Sequence, residues 1–135
     1  MRRTTIALAA LLLAGCGAEF ARDVGYTVGN KPTRVPVEIR EFAIQDLDVY
    51  FHKTEPDMAY VQPASGMVIR LAAGGRSDSW AAMRQEIEPM YRAALERVLA
   101  DSGRQCTIES ATPVPAYFAF EFRYLCPTEA SASAE

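Results

Sequence analysis

The feature that most limits what this chain can fold into is a helical stripe between residues 80 and 99, set among segments that alternate. Trp80, Met83, Ile87, Met90, Ala94 and Val98 keep helical spacing, and Tyr91, Leu95 and Leu99 widen the stripe. Ser77 or Ser79 supplies an N-cap, and Gly103 supplies the residue type that ends a helix. Pro89 lies inside the run, and a proline there removes a backbone donor, costing a regular helix about 3 kcal/mol. The stripe nevertheless keeps its phase across Pro89. The pattern therefore predicts one long kinked helix rather than two.

The segments on either side read as strands. Val35, Val37 and Ile39 alternate with polar residues, and the phase shifts at Arg40-Glu41 before Phe42 and Ile44, which predicts a bulge or a break. Leu47, Val49 and Phe51 alternate with Asp48, Tyr50 and His52. Met58 to Gln62 and Met67 to Ala72 flank Pro63-Ala64-Ser65-Gly66, which has hairpin turn chemistry. Two more strands, about Gln105 to Thr112 and Tyr117 to Cys126, surround Pro113-Val114-Pro115. Strands, one helix and a final hairpin predict an α+β domain over 35–126. Its antiparallel sheet has about four to five strands packed by the one long kinked helix.

The amino terminus has a different character. Arg2 and Arg3 precede an apolar run from Ile6 to Leu13, followed by Leu13-Ala14-Gly15-Cys16. This leader resembles that of a bacterial lipoprotein precursor, and Leu13-Ala14-Gly15-Cys16 is similar to its lipobox at all four positions. The resemblance covers the leader only. It implies removal of residues 1–15, lipidation at Cys16 with acyl groups such as palmitate, and a position in the cell envelope. Gly17, where enteric inner-membrane lipoproteins carry Asp, implies the inner leaflet of the outer membrane, facing the periplasm. The apolar run is far shorter than the roughly 20 residues of a transmembrane helix. Each buried methylene contributes about 0.8 kcal/mol, so one acyl chain holds weakly and two or three hold stably.

Residues 16–34 contain several glycines and a proline without a sustained apolar period, which predicts a flexible tether with a reach of roughly 20–25 Å. The tail at 127–135, rich in Ala, Ser and Glu, is expected to be disordered. Loss of Arg2 and Arg3 would reduce 14 basic residues to 12 against 17 acidic ones. A mildly acidic chain without a basic run is poorly suited to nucleic acid or to electrostatic binding of anionic lipid. The lipid then makes the main membrane contact.

With Cys16 lipidated, Cys106 and Cys126 remain as an even pair in an oxidising compartment. Cys106 shares a strand face with Ile108, and Cys126 shares one with Phe120, Phe122 and Tyr124, so both thiols can point into one core. A metal pair lacks further ligands, since His52 is the only histidine, and a nucleophilic thiol lacks a base. A disulfide is expected.

Catalytic motifs are lacking: no G-x-S-x-G, H-E-x-x-H, phosphate-binding glycine loop or C-x-x-C occurs. His52 reads as a solvated residue and Asp46 with Asp48 as a solvated edge, while Glu86 and Glu88 do not share a helix face. The expectation is a protein that is not an enzyme, with no cofactor and no metal. Two features could carry binding. Phe118, Phe120, Phe122 and Tyr124 form an aromatic face, read either as core or as an apolar groove for a lipid, a peptide or a strand. The stiff segment Thr112 to Tyr117 could present Tyr117 to a partner. The expected function is a lipid-anchored, non-catalytic interaction or assembly factor for an envelope protein complex. The alternative is an apolar-ligand binder using the aromatic face.

Overall fold

The computed structural model describes residues 17–39, 44–64 and 80–127, with side chains in the last segment described at Gln85 and from Ile87 onward. Cys16, the expected strand from Met67 to Ala72, the Ser77 and Ser79 caps and the tail beyond Pro127 lie outside the described residues. Five strands form one antiparallel sheet: β1 (Thr33–Ile39), β2 (Ile44–Phe51), β3 (Met58–Pro63), β4 (Thr107–Val114) and β5 (Ala119–Leu125). Their order across the sheet is β1-β2-β3-β5-β4, so β3 is central and β1 and β4 are the edges. Among the described residues two α-helical segments accompany them, α1 at residues 17–27 and α2 at Trp80–Asp101.

Alternation in sequence becomes two-sidedness in the sheet. Leu47 and Val49 of β2, Ala59 and Val61 of β3, and Phe120, Phe122 and Tyr124 of β5 share one face. Against it lie Ile87, Tyr91, Ala94, Leu95, Val98 and Leu99 of α2, which with Val35, Ile39 and Ile44 complete the main core. The opposite face carries a second, smaller cluster of Tyr26, Tyr50, Tyr60, Val114 and Ala119, with Tyr117 packed against it.

The expectation of one long kinked helix on one face is corrected here. Two helical segments belong to the two clusters, one on each face, and the buried positions among the described side chains of α2 run only from Ile87 to Leu99. Pro89 does lie within α2. Its end is the one the sequence predicts: Gly103 has φ 82°, its N–H donates to Ala100 O at 2.9 Å, and Arg104 N–H donates to Leu99 O at 3.0 Å. These are the paired bonds of a Schellman cap, which satisfy carbonyls that the helix leaves open.

The tether expectation is corrected as well. Residues 17–27 are helical, and Tyr26 retains only 2% of its exposure. Gly29, at φ 69°, follows the helix in the left-handed conformation that glycine adopts freely. Lys53 Nζ donates to Val28 O, and Asn30 Nδ2 donates to Phe51 O at 2.8 Å, fastening the connection to β1.

Local details shift by a few residues. The irregular register on β1 falls between Pro36 and Ile39, ahead of the expected Arg40-Glu41, and residues 40–43 lie outside the described residues. Pro113 belongs to β4, where it pairs with Phe120, and an edge strand tolerates its missing N–H. The turn between β4 and β5 is a single 3₁₀ turn, Pro115–Tyr117. Phe118 follows it at φ 50°, a strained conformation for a bulky residue. Tyr91 Oη donates to Phe118 O at 2.8 Å, holding that carbonyl from the core side.

Candidate functional site

The densest polar arrangement of the described residues lies where α1 meets the sheet. Glu19, Arg22, Asp23 and Tyr26 stand at i, i+3, i+4 and i+7, which places them on one face of a helix. All four reach across to the rest of the domain. Glu19 Oε2 accepts from Ala116 N–H at 3.2 Å, and Arg22 Nε lies 3.7 Å from Glu121 Oε1. Asp23 Oδ1 accepts from Tyr60 Oη at 2.7 Å, and Tyr26 Oη donates to Glu121 Oε2 at 2.9 Å. The Tyr26 ring stacks on Tyr60 with centroids 4.9 Å apart and meets the edge of His52 at 5.1 Å.

The sheet prepares this surface by register. Tyr50 of β2 pairs with Tyr60 of β3, and Tyr60 pairs with Glu121 of β5, so these three side chains form a row beneath α1. Burial holds the phenols of Tyr26 and Tyr60 well above the ordinary tyrosine range, reinforced for Tyr26 by the Glu121 charge and for Tyr60 by its bond to Asp23. Both remain neutral donors to carboxylates across the physiological range. Chemically this is a latch whose protons hold α1 in place.

Asp23 couples the latch to pH. Burial raises its carboxyl above the ordinary aspartate range, and hydrogen bonds from the Tyr60 and Thr27 hydroxyls offset part of that rise. A carboxyl raised in the folded state favours the fold while protonated and works against it once ionised. This contribution is fully present below the unfolded value and is lost as pH rises through the folded one. Asp23→Asn keeps an acceptor for Tyr60 and removes the charge. The variant should therefore melt higher than wild type at pH 7, with the gap closing towards pH 3. Thermal melts across that range check the prediction, and a gap independent of pH would refute it.

The other singled-out polar residues also have structural duties. Asp48, expected on a solvated edge, is only 1% exposed, and this is a correction. Its two oxygens accept from Arg34 Nε at 3.0 Å and Arg34 Nη2 at 3.4 Å, the paired geometry that suits guanidinium to carboxylate. His52 caps the β2–β3 connection: its Nδ1 accepts from Glu55 N–H at 2.9 Å and Thr54 N–H at 3.2 Å. Glu88 pairs with Arg92 at 2.8 Å one turn along α2. Among the described residues no group of three or more His, Cys, Asp or Glu side chains could hold a metal ion.

The aromatic residues expected as a candidate binding face are core. Phe118, Phe120, Phe122 and Tyr124 are all buried, Phe120 meets Tyr91 edge-on at 5.4 Å, and Phe122 lies 6.1 Å from Phe120. Tyr117 is half-buried against the second cluster. Cys106 and Cys126 form a disulfide, with Cα atoms 4.1 Å apart. They stand just outside the pairing of Thr107 with Leu125 and so close the open end of the β4–β5 hairpin. Beside them is an open cleft of about 770 Å³, lined by Asp57, Gly103, Arg104, Tyr124 and Pro127 among others. Its charged groups are engaged within the protein, Asp57 with Arg123 at 3.3 Å and Arg104 with Tyr124.

Sequence reasoning missed the α1 latch because it sought an apolar stripe, and the periodic residues here are Glu, Arg, Asp and Tyr. The signal was present as a polar i, i+3, i+4, i+7 pattern opposite a strand carrying Tyr60. No family model matches the chain, nor does any curated protein or any solved structure. Among the described residues, no helix is long and apolar enough to cross a membrane.

Proposed function

We propose that this chain is a lipoprotein of the bacterial cell envelope, anchored through lipid on Cys16 and acting as a non-catalytic interaction or assembly factor for an envelope complex. Leu13-Ala14-Gly15-Cys16, preceded by Arg2, Arg3 and a short apolar run, carries the reading. Gly17 favours the inner leaflet of the outer membrane, facing the periplasm. Two structural facts support this proposal. The Cys106–Cys126 disulfide suits an oxidising compartment, and His52, Asp48 and Glu121 serve the fold itself.

Cys16→Ser tests the anchor. Cells fed a palmitate analogue should label the wild-type protein, and label on the variant should fall to background; equal labelling of both would end the proposal. Crosslinking in native membranes tests the interaction role. A discrete adduct with an envelope protein is expected, and a protein recovered only as an uncrosslinked monomer would count against it.

A further inference from the structure

We propose that the outward face of α1, together with the neighbouring Pro115–Tyr117 turn, is a membrane-contacting surface that seats the domain directly on the bilayer. This rests on the reading of Cys16 as the lipid anchor. It adds to that reading which face of the domain meets the membrane.

The helix is amphipathic in the reverse of the usual sense. Its charged residues, Glu19, Arg22 and Asp23, turn inward and are bound by the rest of the domain. The exposed positions at 17–28 are Gly17, Ala18, Phe20, Ala21, Gly25 and Val28, none of them charged. Phe20 and Val28 are each 58% exposed, which makes them two of the four large hydrophobic residues exposed among the described ones. A surface helix ordinarily turns its apolar face to the core and its charges to water. Here the sheet has taken the charges, and the uncharged face is left outward.

Chain connectivity selects the occupant. Cys16 is bonded directly to Gly17, the first described residue of α1, and consecutive Cα atoms are about 3.8 Å apart. Phe20 is roughly 4.5 Å further along the helix axis than Gly17. Acyl chains on Cys16 would fix that cysteine at the bilayer surface, and four inward contacts prevent α1 from swinging free of the sheet. The first turn must then lie at headgroup depth, where an aromatic ring gains by leaving water. The Glu19 bond to Ala116 brings Pro115–Tyr117 to the same end of the domain. Pro115 and Ala116 are exposed and uncharged as well. Met90, 39% exposed, lies on α2, which packs on the opposite face of the sheet from α1.

The test uses the full-length lipidated protein in vesicles of phosphatidylethanolamine and phosphatidylglycerol. Single cysteines at Phe20→Cys, Val28→Cys and Met90→Cys, all exposed sites, carry a nitroxide label. Collision with a water-soluble nickel chelate is compared with collision with oxygen. Labels at 20 and 28 should be shielded from the chelate several-fold more than the label at 90. Equal access at all three sites would overturn the proposal. So would shielding that appears only in native membranes, which would assign the face to a protein partner. Dipolar broadening between labels would overturn it in favour of a second copy of this chain. Mass spectrometry of the same preparation keeps the two readings apart: an unmodified Cys16 overturns both, whereas an acylated Cys16 with unshielded labels overturns only this one.

Discussion

Phe120→Ala is expected to destabilise the domain by about 3–5 kcal/mol, the range for deleting a fully enclosed aromatic side chain. Phe120 is 1% exposed and lies between Tyr91 of α2 and Phe122 of its own strand. Its removal forfeits transfer energy and leaves a void that these neighbours can close only in part. That loss is a large fraction of the 5–15 kcal/mol that holds a typical domain together, so the variant should unfold at a much lower denaturant concentration. Equilibrium unfolding in urea measures it. The same experiment separates core from binding surface, since truncating an exposed ligand-contacting ring would change stability by only a few tenths of a kcal/mol. A midpoint close to wild type would return Phe120 to the candidate binding residues.

Loss of the Cys106–Cys126 bond should have the second-largest effect. The bridge closes a loop with a sequence separation of 20. Restricting a loop of that length in the unfolded chain stabilises the fold by about 3 kcal/mol. Cys126→Ser, Cys106→Ser and the double variant should fall by the same amount, because all three remove one bond and its effect cannot be counted twice. A reductant should lower the melting temperature of wild type to that of the variants and leave theirs unchanged. If the single variants melt like wild type under oxidising conditions, the bridge contributes nothing to stability.

How much of this was legible depended on whether a residue's role followed from an apolar period. The strands β2 and β5 were, because Leu47, Val49, Phe120 and Phe122 alternate cleanly. The disulfide was, because two alternating segments each placed a cysteine on the core side. Gly103 as a helix stop was legible from residue type alone. Three things were not. Asp48 occupies a polar position in its strand, and only the pairing of β1 with β2 reveals that Arg34 lies opposite it. His52 takes its role from the β2–β3 turn, which brings the Thr54 and Glu55 amides back to Nδ1. The N-terminal helix was missed because its contacts are made by hydrogen bonds and a stacked tyrosine. A helix held by polar groups reads as a linker when hydrophobicity is the only period sought.

The polar stripe on α1 also determines how the molecule bears force. A pull on Gly17 meets the contacts of α1 before it reaches β1, the edge strand that follows it. It passes through Tyr60 into β3 and through Glu121 into β5, the adjoining inner strands of the sheet. Tension arriving there is spread over flanking strands on both sides. The weakest link under load is thus the set of side-chain bonds beneath the first helix, which can part and re-form while the sheet stays whole.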